Sequence, residues 1–120
     1  MNDGERILEG LAVPEVILQT ISERGGMEGL LHSIPGDEEL QKEAEVHKAL
    51  SDPIRLRIMH ALEHTELCPC ILKEVAAVTD SRLSYHLSKL EESGLIGFDR
   101  EKNWRLYRLT EVGREVIGRP

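Results

Sequence analysis

Aromatic side chains are scarce: one Trp, two Tyr and one Phe make up 3% of the 120 residues. Leu, Ile and Val must fill the interior, and a chain of this length is expected to form one aliphatic core burying roughly two-thirds of its unfolded surface. Cysteine is scarcer still. Two thiols one residue apart, Cys68 and Cys70, cannot build a disulfide framework, and a bridge between them would close a very tight ring. No run approaches the ~20 apolar residues that cross a bilayer, and Met1 to Gly10 lack a basic region followed by an apolar stretch. These absences predict a reduced, cytoplasmic chain with no membrane partner. A glycine-rich phosphate loop and paired carboxylates are missing too. Cys68 with His64 is the only nucleophile–base pair on offer, so an enzyme is not expected.

Positive charge is also short, with 15 Lys and Arg against 22 Asp and Glu for a net of −7. That balance disfavours contact with phosphates, but it is unevenly spread. Residues 1–45 hold three basic and eleven acidic side chains, net −8, whereas residues 46–120 hold twelve and eleven, net +1. The acidity belongs to an N-terminal segment.

What is present is mostly helical periodicity. Ile7, Leu8, Leu11, Val16, Ile17 and Ile21 suit helix over 5–24, with Pro14 starting a second helix or kinking the first, and Gly25, Gly26 and Gly29 punctuating it. A charged helix is predicted from Asp37 to about Leu50. Asp52 then caps a helix whose first turn holds Pro53 and whose buried face is Ile54, Ile58, Ala61 and Leu62. A further helix starts near Cys68 and Pro69 and buries Leu72, Val75 and Ala76. After a turn at 77–79, Thr79 or Asp80 caps a helix ending at Ser93 and Gly94. The period then changes, and Leu95 to Arg100 and Trp104 to Leu109 read as strands of a hairpin, followed by a short helix capped by Thr110. Trp104 and Tyr107 are expected to pack inward or against the preceding helix.

At 100° per residue, Leu83, Leu87 and Leu90 share one stripe while Ser81, Tyr85 and Ser88 project oppositely, flanked by Arg82, Ser84 and Lys89. Small hydroxyls let a helix approach a duplex closely, Arg82 can fork onto guanine, and Tyr85 can meet a base edge or phosphate. The plainer reading is a solvated helix face. Two capped helices around a short turn match helix-turn-helix geometry, and the hairpin adds Arg100, Lys102, Arg105 and Arg108, of which Arg100, Lys102 and Arg105 lie at its tip. Those cations suit phosphates beside a minor groove, unless Asp99 and Glu101 neutralise them.

Residues 46–117 resemble the ArsR/SmtB family of winged-helix metal-responsive repressors over nearly their whole length, and four segments carry the resemblance: Ala49-Leu-Ser-Asp-Pro-Ile-Arg-Leu-Arg-Ile58, Glu66-Leu-Cys-Pro-Cys-Ile-Leu72, Ser81-Arg-Leu-Ser-Tyr-His-Leu-Ser-Lys-Leu90, and Gly94-Leu-Ile with Trp104-Arg-Leu-Tyr-Arg-Leu-Thr110. The resemblance implies a mainly α fold with a small β-hairpin (α+β), a dimeric winged helix-turn-helix. It also implies a homodimer on double-stranded DNA with a partly palindromic operator, and repression relieved by an effector. The acidic helical extension over 1–36 has no counterpart in the minimal family domain and is expected to serve dimerisation or partner contact, beside a DNA-binding domain over 37–120. Ala77 stands where many members carry the turn glycine, so a more nearly helical turn is expected. The final-helix metal site known in the family needs a histidine, and Thr110 to Pro120 has none.

Cys68 and Cys70 sit at a helix start, where unpaired N–H groups and the helix dipole are expected to lower both thiol pKa values. A Cys-x-Cys pair can chelate a soft metal ion such as As(III), whereas a closed Zn(II) site needs two more ligands. The arsenic-sensing branch that the segment resembles carries a third cysteine at the position of Lys73, and a small apolar residue at Pro69. His47, His60 or His64 could complete a mixed site, although lone helical histidines are more often surface or core groups. Alternatives are an inert buried pair, a redox or other non-metal signal, and a protein-interaction module that has lost DNA binding.

Overall fold

The computed structural model describes residues Gly10 to Gly118. The expected helix start near Ile7 and Leu8 lies outside them. The chain divides into two compact units, one ending at Leu40 and one beginning at Gln41.

In the first unit, helix α1 (Glu15–Glu23) follows Pro14, whose φ of −56° is already helical and whose carbonyl accepts the first helical bonds. Helix α2 (Gly26–Ser33) was not expected. Gly25 takes φ 92° and stops α1, but the chain re-enters a helix at once and runs through Gly29, where a Cβ would meet the Arg24 carbonyl oxygen at 2.4 Å. Three glycines in five residues therefore make a tight helical corner rather than a loop. Neither helix buries a residue.

Helix α3 (Asp37–Leu50) leads into the second unit, with Asp37, Glu38 and Glu39 at its N-terminus and His47 and Lys48 at its C-terminus, the arrangement the helix dipole favours. The Asp52 carboxylate accepts from the Ile54 and Arg55 amides at 2.8 and 3.3 Å, and α4 (Pro53–Leu62) begins there. Its buried side is Arg55, Ile58, Met59 and Leu62, with Ile54 and Ala61 only half-buried. Helix α5 (Pro69–Ala76) buries Leu72 and Ala76. Helix α6 (Asp80–Glu92) is capped by Thr79 and buries Leu83, His86, Leu87 and Leu90.

The turn between α5 and α6 does not become more helical. Ala77 closes α5 at φ 55°, ψ 48°, the left-handed conformation that a Cβ disfavours, and its amide bonds to the Lys73 carbonyl at 2.8 Å. The turn geometry is kept without the glycine.

Strands β1 (Ile96–Glu101) and β2 (Trp104–Leu109) pair antiparallel around Lys102 and Asn103, with Ile96 opposite Leu109 and Phe98 opposite Tyr107. Lys102 takes φ 57° to make the tight loop. Helix α7 (Glu111–Ile117) is capped by Thr110, whose hydroxyl also donates to the Gly94 carbonyl. Ile58, Met59, Leu72, Leu90 and Leu95 are the fully buried centre. Tyr107 joins that core, but Trp104 is 56% exposed. Strand alternation explains the split: residues three apart face opposite sides, so only one of the two could turn inward. The architecture is mainly α with one hairpin, a winged helix-turn-helix.

Candidate nucleic-acid interface

The outer face of α6 holds Ser81, Arg82, Ser84, Tyr85, Ser88 and Lys89, and all six are exposed. They stand opposite Leu83, Leu87 and Leu90 because those leucines anchor the helix to the core. The Lys89 ammonium lies 5.5 Å from the centre of the Tyr85 ring, and the same lysine reaches Glu92 at 3.8 Å. Arg82 has no side-chain partner among the described residues, so its guanidinium is available to a ligand.

The wing adds its cations at the far end of the hairpin. Arg100 and Arg105 form a cross-strand pair one step from the loop that carries Lys102. Asp99 does not neutralise them, because its carboxylate accepts from Arg108 at 3.1 Å. Arg105 stacks over Phe98, with 4.6 Å from its guanidinium carbon to the ring centre. A groove of about 220 Å³ runs between α6 and the wing, lined by Ser84 and Ser88 on one side and Arg105 and Tyr107 on the other.

Two residues that sequence reasoning missed hold α6 in place. The buried Arg55 donates through Nε to the Ala49 carbonyl at 2.6 Å and through its guanidinium to Nδ1 of His86, also buried, at 3.0 Å. Guanidinium only donates, so Nδ1 accepts and the imidazole is neutral with its proton on Nε2. Burial pushes the His86 pKa down, Asp52 opposes that, and Arg55 and Arg82 reinforce it. The Asp52 carboxyl is itself held low: burial works to raise it, and the amides of Arg55 and Ile54 with the Arg55 charge outweigh that. The signal was available, since His86 lies three residues after Leu83 and four before Leu90, on the apolar stripe.

Cys68 and Cys70 come together at the start of α5 with their Sγ atoms 2.9 Å apart, both reduced. The thiols do not both become more acidic. The hydrogen bond between the thiols, together with the Ile71 amide, lowers the Cys68 pKa, and the same bond raises the pKa of Cys70. The two thiols are therefore unequal, Cys68 the more acidic and Cys70 the less. Lys73, in place of a third thiol, pairs with Asp80 at 3.0 Å and so ties α5 to the first turn of α6. His60 bonds to Glu63 at 2.6 Å, and His47 and His64 are exposed. No group of three or more His, Cys, Asp or Glu residues is arranged to hold a metal ion among the described residues. Leu67, just before Cys68, exchanges two backbone hydrogen bonds with Tyr107 at 2.9 and 3.1 Å, stitching the thiol segment to β2.

The family model described as "Bacterial regulatory protein, arsR family" matches residues 52–97, from the Asp52 cap to β1. The chain is 40% identical over 80 residues to an arsenical resistance operon repressor of Bacillus subtilis, covering 66% of this chain and 74% of that one. It is 40% identical over 63 residues to a transcriptional repressor SmtB homolog of Synechocystis, covering 52% and 48%. Among solved structures it resembles the homodimeric winged helix-turn-helix DNA-binding domain Mb0332 from Mycobacterium bovis, with TM-score 0.63, 25% identity, and 69% and 81% coverage. Fold, exposed helix face and basic wing define a winged helix-turn-helix transcriptional regulator, and the relatives are regulators rather than enzymes. The chain belongs to the arsR family of bacterial regulatory proteins.

Proposed function

We propose that this protein is a cytoplasmic, homodimeric, sequence-specific repressor that reads a partly palindromic operator in double-stranded DNA. Ser81, Arg82, Ser84, Tyr85, Ser88 and Lys89 enter the major groove, while Arg100, Lys102 and Arg105 hold phosphates beside it. The reading rests on one observation: the side of α6 opposite its buried leucines is wholly exposed, next to wing cations whose neighbour Asp99 is engaged by Arg108. Homodimerisation is supported by the Mycobacterium bovis relative, and residues 1–36 are assigned to dimerisation or partner contact because α1 and α2 bury nothing.

A thiophilic effector, As(III) or another soft metal ion, releases the operator by binding Cys68 and Cys70. The reduced, adjacent sulfurs suit bidentate chelation, and any further donor comes from outside this cluster. The relay is short: the Leu67–Tyr107 bridge leads to the wing and the Lys73–Asp80 pair leads to α6. The arsenical-resistance relative supports this class of effector. The closeness of the sulfurs and the lowered Cys68 pKa favour a second reading, oxidation of the pair.

The test is duplex binding by fluorescence anisotropy, with duplexes selected by the protein from a random pool. Arg82→Ala should lower the preference for selected over random duplex, whereas Arg100→Ala should weaken both alike. Adding As(III), Cd(II), Zn(II) or peroxide should release the duplex from the wild type but not from Cys68→Ser or Cys70→Ser. Variants that respond like the wild type would remove the thiol-sensor reading and leave the repressor standing.

A further inference from the structure

Arg55 is only 9% exposed, and both groups it bonds, the Ala49 carbonyl and the imidazole of His86, are neutral. Among the described residues the nearest carboxylate is that of Asp52, 3.9 Å from Nη1 and already holding the first amides of α4. Buried charges are normally matched by a close opposite charge, because an ion taken out of water loses its hydration. Nη2 has no hydrogen bond among the described residues, yet no buried side-chain nitrogen or oxygen there goes without one, so Nη2 opens onto accessible space. Arg55 lines a cavity of about 150 Å³ between α3, the start of α4 and the last turns of α6. That is several times what one water requires, and room for a tetrahedral oxyanion or a small carboxylate. Lys48 and Lys89, both exposed, stand at its rim with the Tyr85 ring. Lys48 has no acidic partner among the described residues. Two acids line the cavity as well, but Glu45 accepts from Gln41 at 3.0 Å and Glu92 faces Lys89 at 3.8 Å, so neither matches Arg55.

We propose that this cavity binds a small free oxyanion, of the phosphate or carboxylate class, held by the Arg55 guanidinium at its floor and the Lys48 and Lys89 ammonium groups at its rim. A guanidinium fork matches two oxygens of such an ion, and the lysines add charge without fixing its orientation. The site stands on its own geometry, and its consequence rests on the repressor reading above. Lys89 and Tyr85 belong to the helix face assigned to the major groove. An ion that draws Lys89 back to the cavity therefore opposes the duplex, and by linkage the duplex opposes the ion.

The full chain is titrated with millimolar inorganic phosphate, and in parallel with acetate, against chloride at constant ionic strength. Thermal unfolding is followed first, then the anisotropy of a labelled selected duplex. Phosphate or acetate should raise the unfolding midpoint along a saturating curve, unlike the steady rise that exclusion of salt from the protein surface gives. Lys48→Gln leaves Arg55 and the groove-facing residues in place, so it should keep the wild-type midpoint in chloride and lose most of the added increment. The saturating ion should weaken duplex binding by the wild type about five-fold or more, and that of Lys48→Gln far less. No rise beyond chloride with either ion overturns the proposal and leaves the repressor reading intact. If Lys48→Gln then binds the duplex more weakly, with a salt slope lower by about one, the cations serve a backbone phosphate of the duplex instead. An equal rise in Lys48→Gln also overturns the proposal, because the ion then sits elsewhere. A saturating rise lost in Lys48→Gln, in a chain that binds no duplex, would sink the repressor reading and keep the site.

Discussion

Ala77, like Lys102, holds a left-handed backbone that its side chain disfavours. A non-glycine residue in the left-handed region is disfavoured by about 1–2 kcal/mol, and glycine's looser unfolded state takes back about 0.5–1 of that. Ala77→Gly should therefore raise stability by about 0.5–1 kcal/mol in urea unfolding, and an equal or lower midpoint would mean the turn is not held at φ 55°. The thiols differ in the same local way. Cys68, the more acidic, should be alkylated first by iodoacetamide, and Cys70→Ser should move the pH at which Cys68 becomes reactive. Equal rates for the two thiols, with no change in Cys70→Ser, would contradict the opposite shifts of the pair. The sequence placed both cysteines at a helix start, but their opposite pKa shifts depend on a 2.9 Å approach that spacing alone does not specify.

Among the elements, α6 depends on its tether to α4. Because the folded His86 pKa lies below the ordinary 6.5, the unfolded chain takes up a proton that the native state refuses, so stability falls as pH drops below about 6.5. His86→Gln keeps an acceptor for Arg55 and removes the titration. Its urea midpoint should change less than the wild type's between pH 7.5 and 5.5, and identical changes would place the acid sensitivity elsewhere. Helix α7 is fixed by close approach: a Cβ on Gly113 would sit 2.1 Å from the Leu95 carbonyl oxygen, a backbone atom with little freedom to move. Gly113→Ala should destabilise by about 1–3 kcal/mol, and a neutral result would show that α7 can shift. Helices α3 to α6 were readable because caps and 3.6-residue periodicity agree, as at Asp52-Pro53 and Thr79. Helix α2 was not, because the glycines that allow a tight corner look like loop residues. The exposed hydroxyl and cationic face of α6 was legible from the leucine stripe alone. The Arg55–His86 bond was not, since it joins residues 31 apart in sequence.

At the scale of the whole molecule, the net charge of −7 hides a division between an acidic beginning and a nearly neutral remainder. Removing residues 1–36 takes away six acidic and two basic side chains and should leave duplex affinity at 50 mM salt unchanged or higher. Loss of binding by a shortened chain that remains folded and dimeric would show that the extension is part of the interface. The central claim is that α6 and the wing together form the surface that meets DNA. Backbone amide NMR shifts recorded while a selected duplex is added test it most directly. The account predicts that the large changes fall on residues 81–89 and 100–105, while those of α1 and α2 stay small. Changes concentrated on α1 and α2, with Ser84, Tyr85 and Ser88 unmoved, would contradict it.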